Sequence, residues 1–191
     1  LLASKDAQVK ERAQRLGTLW GNASAVQSSV NSVNDTKAPL EKRLEAIQVV
    51  RQLKNDVARN ALLQLVGETN PESLVMESVR ALGEIGGDAL PNELLKRWDK
   101  FSPTVRRVTS DILASRDRWA STSLSALEQK QVVIGDVPAT AIRTMMRSQA
   151  DFGMLARRAQ LVFGRVREAD ADKAQLIAAK RKMILDSKKQ P

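Results

Sequence analysis

The stretch ESVRALGEIGGDALPNELLKRW, residues 77–98, holds three glycines, Gly83, Gly86 and Gly87, and two readings compete for them. Glycines can cradle a phosphate, or they can turn a corner between helices. A phosphate-binding loop follows a strand, and in its P-loop form it closes on Lys followed by Ser or Thr. Here an amphipathic run precedes the glycines and no such pair follows them. Gly86 and Gly87 come directly after Ile85, where the apolar period stops, and a helix C-terminus favours glycine because the chain leaves it with positive φ. Asp88 and Pro91 suit the start of a following helix. The stretch is predicted to be a helix hairpin.

The hairpin recurs. RLEAIQVVRQLKNDVARNALLQLV (43–66) lies over VMESVRALGEIGGDALPNELLKRW (75–98) and over VRRVTSDILASRDRWASTSLSALE (105–128) with no internal gap. One column reads Ala46, Ser78, Val108; a second Val50, Leu82, Ile112; a third, in the partner helix, Leu62, Leu94, Leu124. Ala46, Val50 and Leu53 are spaced i, i+4, i+7, the face of a buried helix. Arg97, Asp111 and Ser115 break the register, as degenerate repeats allow. The breaks between paired helices fall at KND (54–56), GGDALP (86–91) and RDR (116–118).

Further pairs flank these three. DAQVKERAQRLGTLWG fits a first helix with Ala13, Leu16 and Trp20 on its apolar face, and NASAVQSSVNSVNDTKAP (22–39) reads as a weak helix through Val26, Val30 and Val33, then a loop. VPATAIRTMMRSQ (137–149) and FGMLARRAQLVFGRV (152–166) form the last pair, with Pro138 in a tolerated first turn. DADKAQLIAAKRKMILDSKK (170–189) reads as a long amphipathic helix, with Ile177, Met183 and Ile184 placed to cap the array. The expectation is one all-α domain, a right-handed solenoid of helix pairs over 1–36, 37–70, 71–102, 103–135 and 136–167, closed by a terminal helix at 168–189.

Composition bounds the chemistry. With 191 residues, 42% apolar, 3% aromatic and no tyrosine, the core must be built from Leu, Val, Ile, Ala and Met, which suits close-packed helices. Cysteine and histidine are both absent. Their absence removes disulfides, thiolate metal sites, the commonest general base and any Ser-His-Asp triad. No run reaches the length of a membrane span. Because the chain begins at Leu1, without a methionine, it reads as a processed or excised piece of something longer.

Two segments resemble a known repeat family. DAQVKERAQRLGTL and PESLVMESVRALGEIGGDALP look like HEAT-type repeats of the phycobilisome-lyase class, whose pattern is Asp, two residues, Val-Arg, two residues, Ala, then Leu-Gly. Asp6, Val9, Lys10 and Ala13 fit it in the first segment, with Lys for Arg. Val75, Ser78, Leu82, Gly83 and Ile85 fit it in the second, where Met76 replaces the arginine, and Val105-Arg106 restores the pair in the next repeat. The resemblance implies a fold and no activity. The C-terminal third, GDVPATAIRTMMRSQADFGMLARRAQLVFGRVREADADKAQLIAAKRKMIL, is similar to the end of the helical-repeat region in large haem-binding multidomain proteins of the planctomycete and verrucomicrobial type. That resemblance implies an extracytoplasmic spacer between a dehydrogenase-like propeller and a c-type cytochrome domain. This chain has no Cys-x-x-Cys-His, so any haem would belong to an adjacent domain, and no cofactor is expected in the chain itself.

Charge supplies the candidate surface. The net charge is +9, and residues 96–191 carry 20 basic and 10 acidic side chains, whereas 1–95 carry 11 and 12. Lys96, Arg97, Arg106, Arg107, Arg118, Arg157 and Arg158 recur near the repeats, and a curved solenoid could gather them for an acidic protein surface or a phosphate backbone. Adjacent pairs such as Arg106-Arg107 point about 100° apart on a helix, so solvation of exposed faces is the plainer reading. Some HEAT-fold proteins are DNA glycosylases that use an acid and tryptophans in a basic groove; Asp111, between Val108 and Ile112, is the acid that raises that alternative, and Trp98 and Trp119 the aromatics. The reading expected from sequence is a non-catalytic scaffold contacting neighbouring domains or a protein partner, with nucleic acid as the alternative.

Overall fold

The computed structural model describes residues 3–20, 22–164 and 180. Ten helices follow in order: α1 (Ala7–Leu19), α2 (Ala23–Asn34), α3 (Leu40–Val50), α4 (Asp56–Gly67), α5 (Glu72–Ile85), α6 (Leu90–Leu95), α7 (Pro103–Ala114), α8 (Asp117–Glu128), α9 (Ala139–Met146) and α10 (Met154–Phe163). Single 3-10 turns sit at Arg51–Leu53, Trp98–Lys100, Ile134–Asp136 and Ala150–Gly153. No strand occurs among the described residues, and the fold is all-α. The expected terminal helix over 168–189 lies outside the described residues apart from Lys180.

Helix ends are set by side chains the sequence supplies. Asp6, Asn22, Asn55 and Ser102 each accept a hydrogen bond from the backbone N–H two or three residues on, capping α1, α2, α4 and α7. Pro91 and Pro103 occupy first turns, where no amide is missed.

The helices pack in two rows. Odd-numbered helices touch in sequence, α1 on α3, α3 on α5, α5 on α7, α7 on α9; in the even row α2 meets α4, α6 meets α8 and α8 meets α10. One apolar core runs between the rows. The repeat columns describe most of it: Val50, Leu82, Leu62, Leu94 and Leu124 are fully buried, as is Ser78, whose hydroxyl donates to the Leu74 carbonyl. In α7, however, Val108 and Ile112 are only half-buried and Val105, Thr109 and Leu113 point inward instead.

The glycine corner turns as the sequence requires. The Gly86 amide donates to the Leu82 carbonyl, ending α5, and both Gly86 (φ 79°) and Gly87 (φ 125°) take conformations closed to most L-residues. Their missing side chains serve packing as well. A Cβ on Gly86 would lie 2.6 Å from Arg116 Nη1, one on Gly87 3.0 Å from Arg59 Nε, and one on Gly83 2.8 Å from Ile112 Cγ2. Neighbouring elements on either side therefore press on this corner. Asp88 does not cap α6, whose N-cap is Ala89 without a side-chain bond; Asp88 stays exposed, 3.7 Å from Arg118.

The first helix departs from its expected register. Ala13, Leu16 and Trp20 were placed on a core face, yet Leu16 is 48% and Trp20 83% exposed and Ala13 only half-buried. Gly17 and Thr18 face the interior instead. A Cβ on Gly17 would sit 3.0 Å from Ala25 Cβ, and fully buried Thr18 lies 2.9 Å from Ser29 Oγ. Thr18 Oγ1 donates to the Gln14 carbonyl, so Ser29 donates to Thr18. This close polar contact turns the apolar face of α1 outward. The second helix forms where expected and buries Val30 and Val33, but Val26 is only half-buried and Ala25 and Ser29 complete the inner face.

Candidate interaction surface

Long side chains tie each repeat to the next, most of them across 27 to 33 residues of sequence, a span that brackets the repeat length. Gln48 donates to Glu77 and Arg51 to Glu84 across α3 and α5. Arg116 donates to the Gly83 carbonyl at 3.0 Å while its guanidinium stacks 4.1 Å from the Trp119 ring. Arg59 donates to the Gly86 carbonyl at 2.9 Å. Arg43 is buried, with Nε on the Val33 carbonyl and Nη2 on Asn70 Oδ1, both at 3.0 Å. Its charge sits at the C-terminus of α2, where the helix dipole favours a cation.

Of the residues expected to form a binding surface, Arg106 and Arg158 take part in this bracing, while Lys96 and Arg97 pair with Glu93 one turn back. Arg106 donates to the Trp98 carbonyl at 3.2 Å and to Asp136 Oδ2 at 2.8 Å. Trp98, 4% exposed, directs its indole N–H toward the same carboxylate. Arg158 donates to Glu128, Ser121 and Ser125 across α10 and α8. Arg97 donates to the carbonyl and carboxylate of Glu93, and Lys96 pairs with the same carboxylate. These hydrogen bonds from Arg97 and Lys96 hold the Glu93 carboxyl below its usual range. Arg118 is exposed beside Asp88, and Arg107 and Arg157 are exposed. Asp111 is exposed on α7 and accepts a hydrogen bond from Thr140 of α9, a link between repeats.

Three open clefts follow the even row. The one between α4 and α6, about 520 Å³, is lined by Arg59, Asn60, Gln64, Glu93 and Arg97. The next, about 560 Å³ between α6 and α8, is lined by Asn92, Lys96, Asp99, Thr122 and Gln129. The third, about 600 Å³ between α8 and α10, is lined by Asp88, Asp117, Arg118, Ser121 and Arg158. Asn60, Asn92 and Thr122 occupy one column of the repeat alignment, so the clefts are the same feature repeated.

Four of the seven expected basic residues, Lys96, Arg97, Arg118 and Arg158, line these clefts. They share them with the carboxylates of Glu93, Asp99, Asp88 and Asp117. Arg106 and Arg107 lie on α7, in the other row. Among the described residues, no group of three or more acidic side chains is arranged to hold a metal ion, and no helix is long and apolar enough to cross a membrane. Compared with protein-family models, with curated proteins and with solved structures, the chain matches none.

Proposed function

We propose that this chain is a non-catalytic interaction scaffold, a right-handed HEAT-like array closed by a helix over 168–189, which serves as a spacer between domains of a larger protein. One observation carries the reading: clefts lined by charges of both signs and by apolar side chains recur along the even row at equivalent repeat positions, while arginines such as Arg59, Arg116 and Arg158 lock repeat to repeat. Repeated clefts on a braced frame suit an extended protein contact. A redox parent, with haem in a neighbouring domain, follows from the resemblance of the C-terminal third.

Carboxylates interleaved with the cleft arginines weigh against the nucleic-acid alternative, because a phosphate backbone gains most from a groove of one sign. The test pairs two titrations of the purified chain. Random duplex and single-stranded DNA are titrated across a salt series, and a c-type cytochrome domain is titrated with hydrogen exchange as readout. The scaffold reading expects protection around Asn60, Asn92 and Thr122 by the cytochrome domain and no DNA association near physiological salt. Tight DNA binding that weakens steeply with salt, and is lost in Arg107→Glu/Arg157→Glu, would overturn it.

A further inference from the structure

The outward face of α1 is built from residues that elsewhere in the array form core. Placing Leu16-Gly17 on Leu82-Gly83 puts Val9 on Val75, Ala13 on Val79 and Leu16 on Leu82. In α5, Val79 and Leu82 are fully buried and Val75 packs against the core. In α1 the outer positions of that set face solvent, with Ala13 half-buried: Val9 is 37% and Leu16 48% exposed, and Trp20, one turn on, 83%. These residues recur at i, i+7, i+11, one continuous line on a helix. A tryptophan so exposed at the end of such a line marks an unfilled contact.

The charges around the line identify what fits it. The acids of α1 and its cap look elsewhere: Asp6 accepts the Gln8 and Val9 amides, and Glu11 lines a cleft with Lys42, whose pKa is raised chiefly by its hydrogen bond to Glu45 and further by the Glu11 charge. Arg12 lies about 60° around the helix from the apolar line on one side and Lys10 about 100° on the other, where it also lines the cleft toward α3 with Glu11 and Glu45. The face offered outward is thus apolar and cationic. A second copy would bring like charges together. We propose that α1 docks an amphipathic helix of a partner protein whose apolar face is flanked by Asp or Glu, in the helix-on-helix mode that the array uses internally. This adds a second surface to the scaffold reading, and its failure would leave the even-row clefts unaffected.

Trp20 makes the test direct, since Trp98 and Trp119 are 4% and 3% exposed and the chain has no tyrosine. The full chain is titrated with a designed peptide of about four helical turns bearing a leucine face and glutamate flanks, and acrylamide quenching of tryptophan emission is followed. The expected result is saturable protection of Trp20, absent in Trp20→Phe and weakened about tenfold by Arg12→Glu. Circular dichroism verifies that both variants remain folded. Equal binding of a lysine-flanked peptide would overturn the proposal. So would no protection by either peptide, a blue shift only with phosphatidylserine vesicles, or protection that grows with protein concentration alone.

Discussion

Arg158 and Glu128 meet as a two-point clasp: Nε donates to Oε1 at 3.2 Å and Nη2 to Oε2 at 2.9 Å, while Nη1 and Nη2 also reach Ser121 and Ser125. The pair is partly exposed, so its Coulomb gain is modest, but the planar fork fixes α10 against α8 in orientation as well as distance. A double-mutant cycle with Arg158→Ala and Glu128→Ala is expected to give a coupling of about 0.5–1 kcal/mol. Arg158→Lys should recover little of it, because an ammonium cannot hold both oxygens and both hydroxyls. Urea midpoints of the four proteins measure the coupling; an additive cycle would show that the clasp does not hold α10.

Gly83 tests the fit between α5 and α7. An added Cβ meets Ile112 Cγ2 at 2.8 Å, so Gly83→Ala should destabilise by about 1–3 kcal/mol through overpacking. Ile112→Ala in the same chain should make the glycine substitution cheaper than it is alone. Gly135 has open space where its Cβ would go, so Gly135→Ala is the control, expected to change stability by less than about 0.5 kcal/mol.

Arg43 is 5% exposed and hydrogen-bonds to the Val33 carbonyl and to Asn70, whose own amide donates to the Leu65 carbonyl. Replacing it with leucine keeps the bulk and orphans both acceptors. The expected loss is about 2–4 kcal/mol in chemical denaturation. Arg43→Lys should fall between, since one ammonium cannot reach both partners in this geometry. An unchanged midpoint in Arg43→Leu would contradict the bracing role.

Glu93 links stability to pH. Its carboxyl titrates below the ordinary 4.5 because Arg97 and Lys96 hydrogen-bond to the ionised form. A carboxyl depressed in the folded state contributes stability above its unfolded pKa and loses that contribution as pH falls through the folded value. The stability gap between the native chain and Glu93→Gln is therefore expected to be flat from neutral pH down to about pH 5 and to close below it. The pair is near the surface, so the gap itself should stay under about 1 kcal/mol. Thermal melts across pH 3–7 would show it; a gap that widens on acidification would contradict the ion pair.

Helix positions and the glycine corner were readable because they depend on local period and on backbone freedom, which neighbouring residues encode. The column through Leu62, Leu94 and Leu124 predicted burial for the same reason, whereas the column of Val50 and Leu82 fails at half-buried Ile112, where α7 is rotated. The face of α1 was not readable. Leu16 and Trp20 form an apolar line as good as any in the chain, and only the approach of Ala25 to Gly17 and of Ser29 to Thr18 turns it outward. Asp88 shows the same limit, since nothing local distinguishes a helix cap from a loop acid beside Arg118. The arginine braces were hidden too: Arg106 and Arg158 read as surface charge, because partners such as Asp136 and Glu128 are reached only once the repeats stack.

Many of the braces end on main chain. Arg43 reaches the carbonyl of Val33, Arg59 that of Gly86, Arg116 that of Gly83, Arg106 that of Trp98 and Lys100 that of Gly67. A carbonyl oxygen is present whatever side chain its residue carries, so at Val33 and Trp98 only one side of the joint depends on side-chain identity, whereas at Gly83 and Gly86 an added side chain would press on the neighbouring repeat. Successive repeats can then drift apart in side-chain identity while their junctions keep working. A chain joined in this way can hold its shape long after its copies have ceased to look alike.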